Sequence, residues 1–453
     1  MFTRRDILRS ASCGFGYLAL AGLATEESIA AGTDSLAPKT THHHATAKRI
    51  IFLCMRGGPS QMETFDYKPK LNADNGKKTG KGSMKYFGSQ WDFKQYGQSG
   101  IWVSDLLPLT AQHVDDMCML NGFHCDSNEH AAGLTQLHTG SVQFHRPSMG
   151  SWVTYGLGTL NRNLPGFVAI KPPIILGGAR NYGSAFLPSI YQGTPIGTMA
   201  KPVKDAIVPD LDRSHIDPVD QRKQLALLQS FNRQFADVRG EDPNVEGLIS
   251  SYELAYQMQM TMPQVMDIAG ESDATLEMYG IGNKLQTDDF GRQCLLARRF
   301  AEAGVRFIEL THDNWDHHGG VAKNMPLRCS QIDRPIAGLL TDLKVRGMLD
   351  DTLVVWGGEF GRTPDDPRGD GRGHNKDAGT MWLAGGGVKR GYVHGATDEY
   401  SYKAVEGRVH VHDFHATLLH LMGLDHKRLT YRYAGRDFRL TDIAGEVVHD
   451  VLA

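Results

Sequence analysis

The chain has few cysteines, no long basic run and no apolar segment suited to staying in a membrane. Its six cysteines are spread over 453 residues, which excludes a disulfide-rich framework and leaves Cys118 and Cys125 as a candidate pair. Lys and Arg number 48 against 51 Asp and Glu, so nothing in the charge indicates a nucleic-acid partner. The apolar stretch at residues 11–24 is rich in Gly and Ala and too short for a stable membrane anchor.

The N-terminus indicates an exported protein. Arg4 and Arg5 precede that mild apolar stretch, in the pattern of a twin-arginine signal. Small residues at Ser28 and Ala30 suit a signal peptidase, so residues 1–30 are predicted to be a signal peptide. Residues 31–48 are polar and rich in turn formers, which predicts a flexible leader. We therefore expect a periplasmic or secreted domain over residues 49–453.

The remaining sequence alternates between strand and helix patterns. A continuous apolar run at residues 49–55 ends in Gly57 and Gly58, as expected for a central parallel strand followed by a tight turn. Further apolar runs at residues 305–310, 352–356 and 380–384 alternate with helical patterns at residues 292–303, 332–346 and 413–421. This rhythm predicts an α/β fold with a mostly parallel central sheet flanked by helices. Apolar residues at helical spacing predict a helical insertion at about residues 218–290.

Acidic and imidazole side chains follow two of these predicted strands. Asp316 and His318 come shortly after one strand, and Glu359 and His374 follow another. Open α/β sheets build their sites at the carboxyl ends of strands, and side chains two residues apart in an extended segment project to the same side. Asp, Glu and His are ligands of water-activating divalent ions. The alternative for Glu359 is a structural partner of a nearby arginine.

Other residues complete the candidate site. Glu63 and Asp66 follow the glycine turn after the first strand and are candidate metal ligands. Arg362 and Arg372 are candidates for stabilising negative charge on a sulfate or phosphate, because guanidinium groups bind such oxygens in a fork; the alternative for each is an ordinary ion pair. His130 precedes a predicted helix, and its role as nucleophile, ligand or proton donor stays open.

Several of these segments together resemble one known family. The motifs are Gly-Gly-Pro-Ser from Gly57, Leu-His-Thr-Gly from Leu137, Trp-Asp-x-His-Gly from Trp315, Glu-Phe-Gly-Arg-Thr-Pro from Glu359, and Gly-Arg-Asp from Gly435. They resemble the export-signal family catalogued as domain of unknown function 1501 (DUF1501), which is allied to the alkaline phosphatase and sulfatase superfamily. The resemblance implies an alkaline phosphatase-like sheet flanked by helices, with metal ligands at the strand ends.

The chain also departs from the pattern of this superfamily. Gln61 and Glu63 stand where family members usually have His and Asp, and Phe360 stands where related enzymes have a ligand His. Arg56 and Gly57 occupy the place of a strand-end aspartate, so Glu63 or Asp66 would have to substitute. The Cys-x-Pro-x-Arg pattern that formylglycine sulfatases need occurs nowhere in the sequence.

The resemblance and the residues together predict an exported hydrolase of sulfate or phosphate esters that works without formylglycine. It would use one or two divalent ions (Zn, Mn, Ca or Mg) and act on a sulfated or phosphorylated small molecule or glycan. The expected metal ligands are Asp66, Glu63, Asp316, His318, Glu359 and His374, and the expected catalytic residues are His130, Arg362 and Arg372. The alternative is a non-catalytic exported binding protein that retains the fold.

Overall fold

The computed structural model describes residues 35–208, 217–239, 243–282 and 284–453. The predicted signal peptide at residues 1–30 lies outside these ranges, so its prediction stays a prediction. Among the described helices, none combines the length and the apolar character that crossing a membrane requires.

A large mixed sheet forms the centre of the described domain. Its nine strands are β1 (Arg49–Met55), β2 (Met117–His124), β3 (Phe167–Ile170), β4 (Thr194–Ile196), β5 (Phe307–His312), β6 (Thr352–Gly357), β7 (Gly379–Ala384), β8 (Tyr392–His394) and β9 (Val409–His410). Their spatial order is β8-β2-β7-β6-β1-β5-β3-β4, with β9 also paired to β2. The pairs are parallel except those of β7, which runs antiparallel to β2 and β6. The predicted mostly parallel sheet is thus confirmed.

Helices cover both faces of the sheet. The longer helices are α1 (His130–Thr139), α2 (Met149–Leu157), α3 (Pro218–Arg239), α4 (Pro243–Met266), α5 (Asp273–Met278), α6 (Asp288–Glu302), α7 (Val321–Val345) and α8 (Val411–Leu421). Alternate residues of β1 enter different cores: Leu53 belongs to the core shared with α6 and α7, and Phe52 to the core shared with α1, α2 and α8. Because both faces of β1 are buried, its sequence is apolar throughout rather than alternating.

Short elements complete the chain around this sheet. Two short helices span Gln61–Thr64 and Pro69–Ala73. Two-stranded pairs join Lys85–Tyr86 with Asp365–Asp366, Phe93–Tyr96 with Ile101–Ser104, Gly361–Arg362 with His374–Asn375, Ala396–Thr397 with Ala404–Glu406, and Tyr431–Tyr433 with Arg436–Phe438. The range of about residues 218–290, predicted to be a helical insertion, contains α3, α4, α5 and the start of α6.

The strand directions bring distant loops to one edge of the sheet. β5 and β6 both pair in parallel with β1, and β2 and β6 are each antiparallel to β7. These four strands therefore run in the same direction, and the segments that follow them emerge at the same edge of the sheet. β7 begins at this edge because it runs the opposite way. The loop before β7, which contains His374, therefore meets the loops that follow β1, β5 and β6.

Two expectations differ from the structure. Residues 35–48, expected to be flexible, dock onto the domain: the Lys39 N–H donates to the Leu157 carbonyl at 3.0 Å and the Thr46 N–H to the Leu421 carbonyl at 3.0 Å. These backbone hydrogen bonds hold the segment against the ends of α2 and α8. Cys118 and Cys125 do not pair; both are buried free thiols, like the other cysteines of the described residues.

Candidate functional site

Three histidines and one aspartate converge at the edge of the sheet described above. The Asp316 Oδ1 lies 3.2 Å from the His318 Nε2 and 3.3 Å from the His374 Nε2. The Asp316 Oδ2 lies 3.2 Å from the His130 Nε2. The Nε2 atoms of His318 and His374 are 2.9 Å apart. Asp316 and His318, expected on the same side of an extended segment, thus meet, and the first residue of α1 joins them.

Two of these histidines have their other ring nitrogen engaged. The His130 Nδ1 is 2.6 Å from the Glu359 Oε1, and the His374 Nδ1 is 2.5 Å from the Asn128 carbonyl oxygen. Both partners are acceptors, so each Nδ1 carries the proton and donates it. In the neutral tautomer that follows, each Nε2 presents a lone pair toward Asp316. A partner that fixes Nδ1 in this way is the usual setting of a histidine that ligates metal through Nε2.

The His130 Nε2 is buried and makes no hydrogen bond to any described residue. Its 3.2 Å approach to the Asp316 Oδ2 has the distance of a contact but not the direction of a hydrogen bond. A buried polar atom without a partner is costly. A cation between His130, Asp316 and His374 would remove this cost, and ligand atoms of these three residues all lie within 4.8 Å of one another.

Arg362 holds Asp316 in place. The Arg362 Nη2 lies 2.6 Å from the Asp316 Oδ1, and its remaining contacts are backbone carbonyls: Nε donates to Gly58 at 2.8 Å, Nη1 to Arg372 at 3.2 Å, and Nη2 also to Gly57. Burial favours the neutral carboxyl, but the Arg362 guanidinium outweighs burial and holds the pKa of Asp316 far below its usual range. Asp316 is therefore a carboxylate at any physiological pH.

The pKa values of the two half-buried histidines, His130 and His374, shift in opposite directions. Burial, with help from the positive charge of Arg362, lowers the pKa of His374. Burial acts the same way on His130, but the hydrogen bond that its Nδ1–H donates to Glu359 and the charge of that carboxylate prevail and raise the pKa of His130. A proton on the His130 Nε2 would compete with a cation there, so any cation binding must weaken as the pH falls.

Gly57 and Gly58 allow the loops to approach this closely. Gly57 has a φ of +114°, and a Cβ on it would lie 2.7 Å from the Asp316 nitrogen. Gly58 has a φ of +67°, and its Cβ would lie 2.9 Å from the Phe360 carbonyl oxygen. Both conformations favour glycine, which accounts for the Gly-Gly pair that the sequence places after β1. The Gly57 N–H also donates to Glu359, at 3.0 and 3.1 Å from its two oxygens.

Besides Arg362, four of the predicted site residues lie outside the converging set. Glu359 is fully buried and stands behind His130, with its oxygens taken by His130 and the Gly57 N–H. Glu63 forms a buried ion pair with Arg372, whose Nε lies 3.0 and 2.9 Å from the two Glu63 oxygens. Asp66 accepts hydrogen bonds from two hydroxyl groups and pairs with a lysine at 2.9 Å. None of these carboxylates belongs to a group of described residues with converging ligand atoms.

Phe360 forms an apolar wall beside the cluster. Its ring centroid lies 5.0 Å from that of His130 and 4.9 Å from that of His374. Phe360 is the residue that the family resemblance identified as the replacement of a ligand histidine. It replaces a possible ligand with a surface that packs against two imidazoles and excludes water from their faces.

A second group of converging ligand atoms, not predicted from the sequence, is buried between α1 and the sheet. Ligand atoms of Cys54, His138 and Glu309 also lie within 4.8 Å of one another. The His138 Nε2 is 2.9 Å from the Glu309 Oε1, and its Nδ1 is 2.7 Å from the Leu134 carbonyl. Both ring nitrogens face acceptors. Burial lowers the pKa of His138, but the charge of Glu309 and the hydrogen bond to it prevail and raise this pKa; the imidazolium form that they favour has no lone pair to offer. The acidic residue inside an otherwise apolar strand run was the signal for this pair.

Comparisons with solved structures find distant similarities. The PsFucS1 sulfatase from Pseudoalteromonas sp. is 14% identical, with 83% of this chain and 68% of that chain covered and a TM-score of 0.36. An alkaline phosphatase from the Antarctic bacterium TAB5 is 11% identical, with 75% and 92% covered and a TM-score of 0.33. The lipoteichoic acid synthase LtaP from Listeria monocytogenes is 10% identical, with 92% and 81% covered and a TM-score of 0.36.

The comparison with protein families is more specific. Among curated proteins, none matches the chain. The profile of one family, described as protein of unknown function (DUF1501), matches residues 47–452. This range takes in the sheet, both helical layers and every residue of the converging cluster. The protein therefore belongs to the DUF1501 family.

Proposed function

We propose that this protein is an exported, metal-dependent hydrolase of sulfate or phosphate esters that works without formylglycine. The observation that carries the proposal is the pair of histidines, His130 and His374, whose Nδ1 atoms are engaged while their Nε2 atoms face the Asp316 carboxylate. His318 supplies a fourth ligand from the same loop as Asp316. A divalent ion held there would act as a Lewis acid on an ester oxygen and on water.

The donor set narrows the choice of ion. Three imidazoles and one carboxylate favour Zn²⁺ or Mn²⁺ over Ca²⁺ and Mg²⁺. The latter two ions prefer oxygen ligands; Ca²⁺ takes a larger coordination number, and Mg²⁺ keeps several waters. We therefore propose His130, Asp316, His318 and His374 as the ligands of one ion. Glu63 and Asp66 are left out of this set because each already has a cationic partner.

The surrounding residues position these ligands. Glu359 fixes the tautomer of His130 and orients its ring, as partners behind a metal ligand commonly do. Arg362 keeps Asp316 ionised and fixes its rotamer. Phe360 limits the access of water to the two imidazole rings. Each of these is a positioning role, in place of the direct metal or oxyanion contacts that the sequence suggested for Glu359 and Arg362.

A second candidate is a non-catalytic binding protein, and one observation favours it. The guanidinium groups of Arg362 and Arg372 are both buried and bonded to protein carboxylates and carbonyls. Neither is therefore aimed outward to stabilise charge on a substrate oxygen. In this case the cluster would hold an ion without turning over an ester, and the partner would be a sulfated or phosphorylated glycan that is bound rather than cleaved.

Metal analysis combined with a substrate screen separates these functions. The purified chain is loaded with Zn²⁺ or Mn²⁺, dialysed and analysed by mass spectrometry, and then assayed on aryl sulfates, aryl phosphates and sulfated glycans. We expect about one ion per chain by the ligand count, lost in His374→Ala and kept in the matched control His145→Ala, an exposed histidine. A tightly held ion without turnover would favour the binding protein. Less than half an ion per wild-type chain would refute the metal-dependent hydrolase and favour the binding protein.

Export is proposed on the twin-arginine pattern alone. Replacing Arg4 and Arg5 with lysines should leave precursor in the cytoplasm, measured by fractionation and immunoblotting. Normal export of the lysine variant would contradict the assignment.

A further inference from the structure

A polar cavity of ≈190 Å³ lies at the same edge of the sheet, on the other side of the loop that carries Asp316. Its floor is formed by Lys171, directly after β3, and by Thr311 at the end of β5. Its walls come from the first turns of α6 and from α7, including Gln293 and Arg328. The position at the carboxyl ends of parallel strands is where open α/β sheets commonly bind ligands.

Two residues that line the cavity are buried and each has a polar atom that makes no hydrogen bond to any described residue. Gln293 and Thr311 are 1% and 3% exposed, and in the described structure the Gln293 Oε1 and the Thr311 Oγ1 make no hydrogen bond. Buried polar groups in native proteins are nearly always hydrogen-bonded, so orphans of this kind need an explanation. Both residues line the same cavity, and a ligand with hydroxyl groups, which both donate and accept, would complete their hydrogen bonding.

Among the described residues, one positive charge at the cavity, that of Arg328, has no acidic partner in an ion pair. Lys171 is paired with Asp289 at 2.6 Å, and Asp313 is paired with Arg56. The Arg328 Nη1 donates to the neutral Gln331 side chain at 3.0 Å, and its buried Nε has no hydrogen-bond partner among the residues described. A ligand that carries one negative charge would therefore balance the site.

We propose that this cavity binds a hydroxylated monoanion, such as a sugar that bears one carboxylate or one sulfate. The anionic group pairs with Arg328, and hydroxyl groups hydrogen-bond to Gln293 and Thr311. This site is distinct from the histidine cluster, and the proposal does not depend on ester hydrolysis there. The carboxylate and the sulfate are two sources of the same chemistry, and the probes below distinguish them.

Titration calorimetry of the full mature chain tests the proposal. The probes are D-glucuronate, D-glucose 6-sulfate, uncharged D-glucose and inorganic sulfate. We expect at least one of the charged sugars to bind at least tenfold more tightly than both glucose, which lacks the charge, and inorganic sulfate, which lacks the hydroxyl groups. The preferred charged sugar identifies the source of the anion. Failure of both charged sugars to bind, or equal binding of inorganic sulfate, would overturn the proposal.

Variants locate the binding. Arg328→Gln and Thr311→Val should each weaken the binding of the sugar at least tenfold. The control substitution Arg334→Gln, at an arginine on the same helix, should leave the binding unchanged. Thr311→Val should keep or raise the Tm, because it removes an unpartnered hydroxyl; this keeps the test valid if Arg328→Gln folds poorly. His374→Ala should bind the sugar as the wild type does. Loss of sugar binding in His374→Ala, or its retention in Thr311→Val, would place the sugar elsewhere and overturn the proposal.

Discussion

Replacing Arg372 with leucine tests whether the Glu63–Arg372 pair serves the fold or the candidate site. Glu63 and Arg372 are 0% and 1% exposed, so the substitution leaves a buried carboxylate without its counter-charge. It also removes the donors of the Phe87 and Thr363 carbonyls, which Arg372 holds at 2.8 and 3.1 Å. Breaking one partner of a buried pair costs about 3–5 kcal/mol. We expect the upper part of this range because two carbonyls lose their donor as well.

Thermal unfolding measures this cost. For a chain of this size the entropy of unfolding is about 0.9 kcal/mol/K, so a loss in the upper part of the range corresponds to a fall in Tm of about 4–6 °C. The matched control is Arg390→Leu, which breaks a half-exposed pair with Asp350 and should cost no more than about 1 kcal/mol. Glu63→Leu combined with Arg372→Leu should recover part of the loss, because no unpaired charge remains. The ion content per folded chain should stay at the wild-type level throughout.

Loss of the ion without loss of stability would assign Glu63 and Arg372 to the candidate site. Suppose that Arg372→Leu lost the bound ion but kept its Tm within 1 °C of the wild type, which corresponds to about 1 kcal/mol by the conversion above. The Glu63–Arg372 pair would then serve ion binding rather than the stability of the fold. The assignment of Glu63 to the fold would then be wrong.

Three further predictions test the positioning roles and the second buried pair. Glu359→Gln should weaken metal binding about 10–100-fold without abolishing it, measured by competition with a chelator; complete loss would make Glu359 a ligand. Gly57→Ala should lower stability by about 1–3 kcal/mol through backbone strain at its positive φ and should displace Asp316; an unchanged melting curve with full ion content would contradict this. The pair with Glu309 raises the pKa of His138 above 6.5 against the effect of burial. Its stabilisation should therefore be complete below pH 6.5 and should fall as the pH rises through the elevated pKa; His138→Gln should flatten this dependence in denaturant titrations at several pH values.

The central sheet was predictable because its signals are local. β1, β5, β6 and β7 are apolar runs in the sequence, and the structure has strands at Arg49–Met55, Phe307–His312, Thr352–Gly357 and Gly379–Ala384. Such runs are long enough and sufficiently apolar to be recognised without tertiary information. The predicted end of β5 fell two residues early, because Thr311 and His312 are polar residues that continue the strand to the edge of the sheet.

The direction of β7 was not predictable, and it affects the site. An apolar run has the same pattern whether its strand runs parallel or antiparallel to its neighbours, so the sequence offers no signal for the reversal. Because β7 is antiparallel, the residues before it lie at the edge where the other strands end. His374 therefore reaches Asp316 from the segment that precedes β7, although the sequence had indicated only that it follows β6.

The partners of the acidic residues depend on contacts between distant segments. Glu63 and Glu359 each lie just beyond the end of a strand, as a ligand would, and the sequence does not distinguish them from Asp316. The Arg372 that pairs with Glu63 lies 309 positions away in the sequence, and the Gly57 N–H that binds Glu359 lies 302 positions away. Position at a strand end thus brings a carboxylate to the edge of the sheet, but only the packed structure decides whether a cation, an arginine or a histidine N–H meets it. Asp316 stays available to an ion because its arginine partner binds one oxygen and leaves the other facing His130.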